Sequence, residues 1–404
     1  MRPSNEAIEV PQTVANLRMS VAFEIRTLPL FAVSVSRFCS RCIISGMDRI
    51  RDSAEIPGIA LLFVLMYYSG TVSAETLKSP WEAVPVNVKA AHIPCAPAPA
   101  LPKELAFNGY YVDAHHSVVD PQAKASYEAV SRANEDFIKR VGRTADSYQA
   151  QHSASAAECV FSMLQQAAQE EAFSVAHLGR DGARDGFYVQ GFYLDGLALA
   201  YLKVRPSSLG TNQQRSEIES WLLQIAFSVE RFYDGMAREN AGDAHNNLTY
   251  WGALGVSATG VATGRIDLFN WGVRIYRLAL KQIASDGTLP LELDRAAMAL
   301  HYHFFAVAPL VMIAELGESN ELRLYDEDDG ALHRLVKRTV SGLVDSAYFR
   351  ERTGVAQQMP EGLDGRVIGW AVPYAARYPE PVLASLLARA SSTSNWQLGG
   401  LPPK

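Results

Sequence analysis

Apolar residues recur at spacings of three and four along most of the chain beyond residue 105, which is the pattern of amphipathic α-helices. The segments that show it are residues 126–150, 156–173, 190–204, 214–236, 248–264, 267–283, 295–317 and 330–349. Alternating patterns typical of strands are nearly absent, and Gly or Pro stands at the junctions between segments. The pattern predicts an all-α domain of about ten or more helices.

Three stretches are apolar on most sides, at residues 194–202, 252–263 and 304–316. Helices of this kind lie inside a domain, so we expect them to be surrounded by the amphipathic ones. An inner ring of helices within an outer ring is an (α/α) toroid or incomplete barrel. The groove of such a fold is a common site for long polysaccharides, which is an argument from analogy with the fold.

The segment 47–74 has the three-part plan of a secretory signal peptide. Two arginines precede an apolar run at 56–68, and small residues follow up to Ala74. The run has 13 residues, too few to cross a bilayer comfortably. We therefore expect export to the periplasm without a stable membrane anchor, and we interpret residues 1–46 as an over-extended start before Met47.

Removal of the signal leaves two regions of different composition. Residues 75–104 are rich in Pro and Ala and predict an extended lead-in, whereas 105–404 carries the helical pattern and predicts a single domain. Cys95 and Cys159 are the two cysteines beyond the signal. In an exported chain a pair of cysteines suggests a disulfide.

The composition of the 404-residue chain is that of a soluble globular protein, with 48% hydrophobic and 20% charged residues. Its formal net charge of −6 argues against a nucleic-acid partner, because phosphate binding needs a cationic surface. A few local cations can still hold an anionic ligand. We expect a monomer that needs no cofactor.

The stretch "DAHNNLTYWGALG" at 243–255 crowds polar and aromatic residues before an apolar run. We expect a core helix to begin at Leu248, with Asn246 and Asn247 at its N-terminus. Free backbone N–H groups and the helix dipole favour a carboxylate at that position. His245 lies just before the amides.

A second cluster lies in "LPLELDRAAMALHYHFFAVAPL" at 289–310. Arg295 and Tyr302 are seven residues apart, which on one helix is two turns and places them on the same face. His301 and His303 flank the tyrosine. From residue types alone, a core tyrosine flanked by two satisfied histidines is the favoured interpretation, and an active site is the alternative. A metal site is not expected, because His-x-His spacing suits a strand better than a helix.

Five stretches together resemble the alginate lyase family, the periplasmic poly(mannuronate) lyases of polysaccharide lyase family 5. They are "NNLTYW", "GTLPLELDRAAMALHYHFFAVAPLVMIAELG", "DDGALHRLVKR", "GWAVPYAARY" and "NWQLGG", in the family's order over about residues 105–400. The resemblance implies an (α/α) toroid and a uronate polymer as substrate. It also implies a cysteine near the mature N-terminus and another in an early helix, as Cys95 and Cys159 would be.

The resemblance also implies roles for individual residues. Tyr302 matches the catalytic tyrosine that supplies the acid and can also supply the base, with Arg295 and His303 beside it. Asn247 matches the amide that contacts the substrate carboxylate. The remaining expected substrate contacts are His245, Asn246, Trp251, His301, Tyr110, Gln397, and Trp370 and Tyr374 as sugar-stacking platforms.

Three positions depart from the family pattern. Leu248 stands where the family has a histidine, Tyr110 where it has a lysine, and Gln397 where it has the arginine of RLGG. These changes remove positive charge and favour a polymer with fewer carboxylates, such as an exopolysaccharide that carries glucuronate only in places. They also leave open a degenerate toroid that binds exopolysaccharide without cleaving it.

The chemistry of a lyase explains the residue types. Elimination removes the weakly acidic C5 proton of a uronate, so donors must stabilise the enolate-like intermediate while an acid reaches the leaving oxygen. An inverting hydrolase is the other enzymatic alternative, and it needs two opposed carboxylates. The candidates for these are Asp113, Asp120, Asp195, Glu292 and Asp294, none of which has a partner identifiable from spacing.

Overall fold

Helices make up nearly all regular structure in the computed structural model, which describes residues 77–87 and 89–404. The α-helices in that part of the chain are α1 (Pro121–Gln151), α2 (Ala154–Gln169), α3 (Asp185–Val204), α4 (Asn212–Arg238), α5 (Asn247–Thr263), α6 (Ile266–Gln282), α7 (Pro290–Leu293), α8 (Ala299–Glu318), α9 (Glu327–Val344), α10 (Ala347–Thr353), α11 (Gly365–Ile368), α12 (Ala371–Arg377) and α13 (Pro381–Ala388). The expected start and signal peptide, 1–46 and 47–74, lie outside the described residues and stay predictions.

The helix ends follow from local sequence. Asp120 caps α1 by accepting hydrogen bonds from the backbone N–H groups of residues 122 and 123, and Pro121 occupies the first helical position. Asn246 caps α5 through a bond from the Leu248 N–H at 3.0 Å. Gly264 ends α5 with φ of 70°, a left-handed conformation that glycine adopts without a steric penalty. The predicted helix after the paired amides is therefore confirmed.

The inner layer consists of α3, α5 and α8, whose residues are buried on nearly every side. Helix α5 contacts α3, α4, α6 and α8, so it lies at the centre of the packing. A Cβ at Gly272 of α6 would lie 1.7 Å from the Ser257 Oγ of α5, so only glycine permits this close approach. The predicted inner stretches are confirmed, and the described residues lie within one compact unit.

The segment predicted as one helix over 295–317 is interrupted. Helix α7 ends at Leu293, a 3₁₀ turn occupies Ala296–Met298, and α8 begins only at Ala299. Ala296 has φ of 49°, which is incompatible with a continuous right-handed helix. Arg295 therefore precedes α8, and the prediction that it shares a helix face with Tyr302 is wrong.

The lead-in has little regular structure. Its end forms β1 (Glu104–Leu105), which pairs in parallel with β2 (Val175–Ala176) just before α3. Cys95 and Cys159 form a disulfide that joins the lead-in to α2, as predicted. This bond fixes the path of the chain toward β1.

The stretch Ala296–Glu318 is long and apolar enough to cross a membrane by length and composition alone. In its most apolar window, 72% of the residues are buried within the protein. A core helix shows this burial, and α8 packs against α5, α6 and α9.

Candidate active site

A cleft of about 700 Å³ opens beside the N-terminal ends of three inner helices. Its walls include the first turns of α3, the start of α5 and the first turns of α8. The positive ends of three helix dipoles therefore lie beside this cleft. The first N–H groups of α5 are already bonded to Glu292 and Asn246, so binding of an anion depends on side-chain donors.

The cleft brings together Asn247, Arg295 and Tyr302. Asn247 is the first residue of α5, and Tyr302 lies in the first turn of α8 with 9% of its surface exposed. The guanidinium carbon of Arg295 lies 5.0 Å from the centroid of the Tyr302 ring. The turn before α8 therefore brings Arg295 close to Tyr302, although the two residues do not share a helix face as predicted.

A loop at residues 110–119, which we call the tyrosine loop, covers one side of the cleft. Tyr110 and Tyr111 line the cleft, and their ring centroids are 4.7 Å apart. The Asp120 N–H donates to the Tyr110 carbonyl at 2.8 Å, which closes the loop. The Nδ1 of His115 lies 2.6 Å from the Asp294 carbonyl, so the loop is held against the turn that carries Arg295.

The hydroxyl groups of Tyr302 and Tyr111 are close enough to influence each other's pKa. Burial raises the pKa of Tyr302 to about 12, although the Tyr111 hydroxyl and the charge of Arg295 both act to lower it. Burial likewise raises the pKa of Tyr111. Tyr302 therefore holds its proton at neutral pH, and in this state it can serve as a general acid.

Glu292 lies behind Asn247 and is fully buried. One carboxylate oxygen accepts a bond from the Asn247 backbone N–H, and the other accepts one from the Asn247 Nδ2, both at 2.9 Å. The Arg295 Nε lies 3.6 Å from the same carboxylate. Burial raises the pKa of Glu292, while Arg295 and the bonds from Asn247 lower it.

The three histidines of the sequence prediction lie in different environments. His301 lines the cleft, and burial, together with the charge of Arg366, lowers its pKa to about 4, so it is neutral above that pH. His303 is fully buried: its Nε2 accepts a bond from the Leu289 N–H at 3.0 Å, and its Nδ1 lies 2.7 Å from the Ala299 carbonyl.

These contacts occupy both ring nitrogens of His303, so the catalytic role expected for it does not agree with its placement. His245 belongs to a 3₁₀ turn before α5 and is not among the residues that line the cleft. Leu248 does line it, at the position where the family pattern has histidine. The structure therefore shows no replacement of that histidine by His245.

Asn246 and Trp251 support the cleft from behind. Asn246 is 2% exposed and caps α5, and Trp251 is 1% exposed. The Trp251 ring lies 5.0 Å from that of Phe305, which does line the cleft. Neither residue is among those that line the cleft, so the expectation of direct substrate contact does not agree with their placement.

The residues of the two late landmarks also lie in the core. Trp370 is fully buried and donates its indole N–H to the Val367 carbonyl at 2.9 Å. Tyr374 is 6% exposed, and its hydroxyl lies 2.7 Å from the His333 Nδ1. Gln397 is 7% exposed and does not line the cleft. A buried ring cannot stack on a sugar, so the platform assignment was wrong.

The carboxylates considered for hydrolysis have structural partners or lie elsewhere. Asp113 accepts bonds from the N–H groups of residues 115, 117 and 118 within the tyrosine loop, and Asp120 caps α1. Asp195 is fully buried and absent from the cleft lining. Within the described residues, no group of three or more His, Cys, Asp or Glu side chains could hold a metal ion.

Sequence reasoning missed the contribution of the segment before α3. Arg180, Asp181, Arg184 and Asp185 line the cleft, and Asp181 has φ of 56° in a left-handed turn. The stretch "GRDGARDG" could have indicated a polar turn at the cleft, because two arginines alternate in it with turn-forming Asp and Gly. Tyr111 was missed too, although its neighbour Tyr110 was identified.

Several proteins similar in sequence to this chain are polysaccharide lyases. The profile of the alginate lyase family matches residues 105–349. A polysaccharide lyase of Stenotrophomonas maltophilia (strain K279a) is 35% identical over 285 residues, which covers 70% of this chain and 82% of the relative. An alginate lyase of Azotobacter vinelandii is 30% identical over 354 residues, which covers 85% of this chain and 92% of the relative.

Solved structures show the same fold. A variant of alginate lyase A1-III complexed with a tetrasaccharide matches with a TM-score of 0.67 and 23% identity, over 79% of this chain and 86% of that one. Alginate lyase A1-III from Sphingomonas species A1 matches with a TM-score of 0.64 and 22% identity, over 81% and 88%. These similarities confirm the predicted (α/α) toroid.

Proposed function

The chain belongs to the alginate lyase family and is a polysaccharide lyase, and we propose that it cleaves a uronate-containing exopolysaccharide by β-elimination. The polymer is alginate-like or mannuronan-like, or carries glucuronate. The observation that carries the proposal is the convergence of Asn247, Arg295 and Tyr302 in one cleft at the N-terminal ends of three inner helices.

In the proposed reaction, Arg295 and Asn247 bind the carboxylate of the uronate whose C5–H bond breaks. Their donors offset the negative charge that develops as the C5 electron pair delocalises into the carboxylate. That pair then forms the C4=C5 double bond, and the C4–O4 bond breaks. Tyr302 donates its proton to the leaving O4, which gives an unsaturated sugar on one fragment and a free hydroxyl on the other.

We assign the removal of the C5 proton to His301. It is the one histidine of the three candidates that lines the cleft, and its lowered pKa keeps the imidazole neutral at working pH. Tyr302 is protonated under the same conditions, since its pKa is raised to about 12. At neutral pH each group is therefore in the protonation state that its assigned role requires.

The charges of the cleft support a polymer with sparse carboxylates. Among the described residues, the charged side chains in its lining are three arginines and two aspartates, namely Arg180, Arg184, Arg295, Asp181 and Asp185. The cationic excess is small, and an uncharged residue stands at the positions where the family pattern has a histidine and a lysine. A glucuronate-bearing polymer with neutral sugars between its uronates fits this lining better than a polymer charged at every residue.

A substrate panel tests the proposal. The mature protein is incubated with mannuronan, glucuronan and glucuronate-bearing gums, and the ultraviolet absorbance of the unsaturated product is followed. We expect absorbance to rise with at least one uronate polymer and not with a neutral glucan. New reducing ends without absorbance would indicate hydrolysis, and binding without either signal would indicate a toroid that does not cleave.

We also propose that the protein is exported to the periplasm and acts as a monomer. The signal-like pattern at 47–74 and the disulfide between Cys95 and Cys159 support export, because disulfides persist in oxidising compartments. Fractionation of cells followed by N-terminal sequencing tests the cleavage site, with a mature N-terminus after Ala74 expected. Light scattering of the purified protein tests the oligomeric state.

A further inference from the structure

Glu292 is a fully buried carboxylate directly behind the catalytic cleft, in the short helix α7. A buried carboxylate is costly unless it is paired and hydrogen-bonded. Its partners are two donors of Asn247, each at 2.9 Å, and the Arg295 Nε at 3.6 Å. Both partners line the cleft, whereas Glu292 does not. Glu292 therefore connects the two side chains assigned to the substrate carboxylate.

The two bonds to Asn247 fix its side chain completely. One carboxylate oxygen holds the backbone N–H at the start of α5 and the other holds the side-chain Nδ2, so the Cα and the amide plane are both anchored. An amide nitrogen carries two N–H groups in a fixed plane. When one N–H group of the Asn247 amide donates to Glu292, the direction of the other N–H group is determined. The Asn247 Oδ1 has no hydrogen-bond partner among the described residues, so the recorded hydrogen bond of this side-chain amide is the one to Glu292.

We propose that Glu292 is a positioning residue: its carboxylate orients the Asn247 amide and the Arg295 guanidinium toward the developing charge of the reacting uronate. The inference rests on the proposed function of the cleft. Glu292 touches neither substrate nor reacting atoms, and it acts through Asn247 and Arg295. Donors that are fixed before the reaction stabilise a developing charge without a further free-energy cost of reorganisation.

The two hydrogen bonds from Asn247 need two acceptor oxygens at residue 292, which a carboxylate has and an amide lacks. Glu292 accepts from Asn247 at both oxygens, and a glutamine of equal size would place an N–H group opposite one of these donors. One bond would be lost and the Asn247 amide would turn away. The negative charge beside Arg295 would be lost as well, which frees the guanidinium to move.

The variant Glu292→Gln tests the proposal with the polymer that the wild-type protein cleaves. We expect kcat to fall by about 10- to 100-fold while KM changes by less than about threefold, because a misplaced donor costs most in the transition state. The matched control is Glu315→Gln. Glu315 is 4% exposed and accepts bonds from Arg377 and Tyr325, and it does not line the cleft. An equal kcat for wild type and Glu292→Gln would overturn the proposal.

A double-mutant cycle separates positioning from general destabilisation. In the background of Asn247→Ala, we expect Glu292→Gln to lower kcat by far less than it does alone, since its main route of action is gone. If the two effects multiply, Glu292 does not act through Asn247. A loss of melting temperature in both glutamine variants, without a change of kcat per folded molecule, would show a structural role only.

A crystal structure of Glu292→Gln tests the positioning without any assay of activity. The expected result is a rotated Asn247 amide and a displaced Arg295 side chain. Unchanged positions of both would refute the inference. Absence of cleavage of every polymer by the wild-type protein would instead contradict the proposed function, and the crystallographic result would still decide the role of Glu292.

Discussion

Replacement of Tyr302 by phenylalanine removes one hydroxyl group from the cleft and leaves the ring in place. The ring keeps its contact with Arg295 at 5.0 Å and with Phe305 at 6.5 Å. The interaction with the Tyr111 hydroxyl is lost, which costs at most about 0.5–1.5 kcal/mol, the net worth of one hydrogen bond. Because Tyr111 lines the open cleft, water can take the place of the missing hydroxyl. The melting temperature should therefore fall by a few degrees at most.

The effect on activity should be much larger. Tyr302 holds the proton that the leaving O4 requires, since its pKa is raised to about 12. Loss of a positioned general acid costs about 10²- to 10⁴-fold in rate. The assay is the ultraviolet absorbance of the unsaturated product, with thermal melting of the same samples as the measure of folding.

The matched control for this variant is Tyr276→Phe. Tyr276 is fully buried and donates a hydrogen bond to the Leu324 carbonyl at 2.8 Å, away from the cleft. The Tyr276→Phe variant should be less stable than the wild type but keep the same turnover per folded molecule. The reasoning would be refuted if Tyr302→Phe retained more than about a tenth of wild-type turnover. An unfolded Tyr302→Phe variant would show that the tyrosine serves the core.

Three further predictions concern the histidines and the missing histidine of the family pattern. If His301 is the base, kcat/KM is flat from about pH 5 to 9 and falls toward its pKa of about 4; a Tyr302 phenolate as base would give a tenfold rise per pH unit instead. Leu248→His places an imidazole in the cleft lining, and we expect it to raise cleavage of mannuronan relative to Leu248→Gln; equal rates would contradict this. For His303, burial lowers the pKa to about 4, so only the unfolded chain takes up a proton as the pH falls below about 6.5. His303 therefore contributes a drop of about 3 kcal/mol to the free energy of unfolding between pH 6.5 and pH 4. Measured with urea, the total drop should be smaller by about 3 kcal/mol in His303→Gln than in the wild type, and equal drops would refute the argument.

The sequence predicted the helices and their layers well because both depend on local pattern. Apolar spacing located the outer helices, and the lack of any polar face identified α3, α5 and α8 as the inner ones. The capping amide at Asn246 located the start of α5. Each of these signals lies within a few residues of the element it specifies, so one chain without relatives is enough to show it.

The sequence was less informative about which polar residues face the cleft. His301 and His303 are two residues apart, yet one lines the cleft and the other bonds to the backbone in the core. Residues two positions apart lie about 200° apart around an α-helix, so the two histidines face different sides of α8. Which side faces the cleft depends on how α8 packs against α5 and α9, and the local sequence does not specify that packing.

Local patterns and family motifs were enough to predict the helices, the disulfide and the set of Asn247, Arg295 and Tyr302, which the fold brings into one cleft. The burial of Trp370 and Tyr374, the proximity of Tyr111 to Tyr302 and the bonds between Glu292 and Asn247 are seen only in the folded protein. The reason is the distance along the sequence over which each kind of interaction acts. Hydrophobic periodicity and capping act over one or two turns, whereas the bond between Glu292 and Asn247 spans 45 positions of sequence and depends on how α7 packs beside α5.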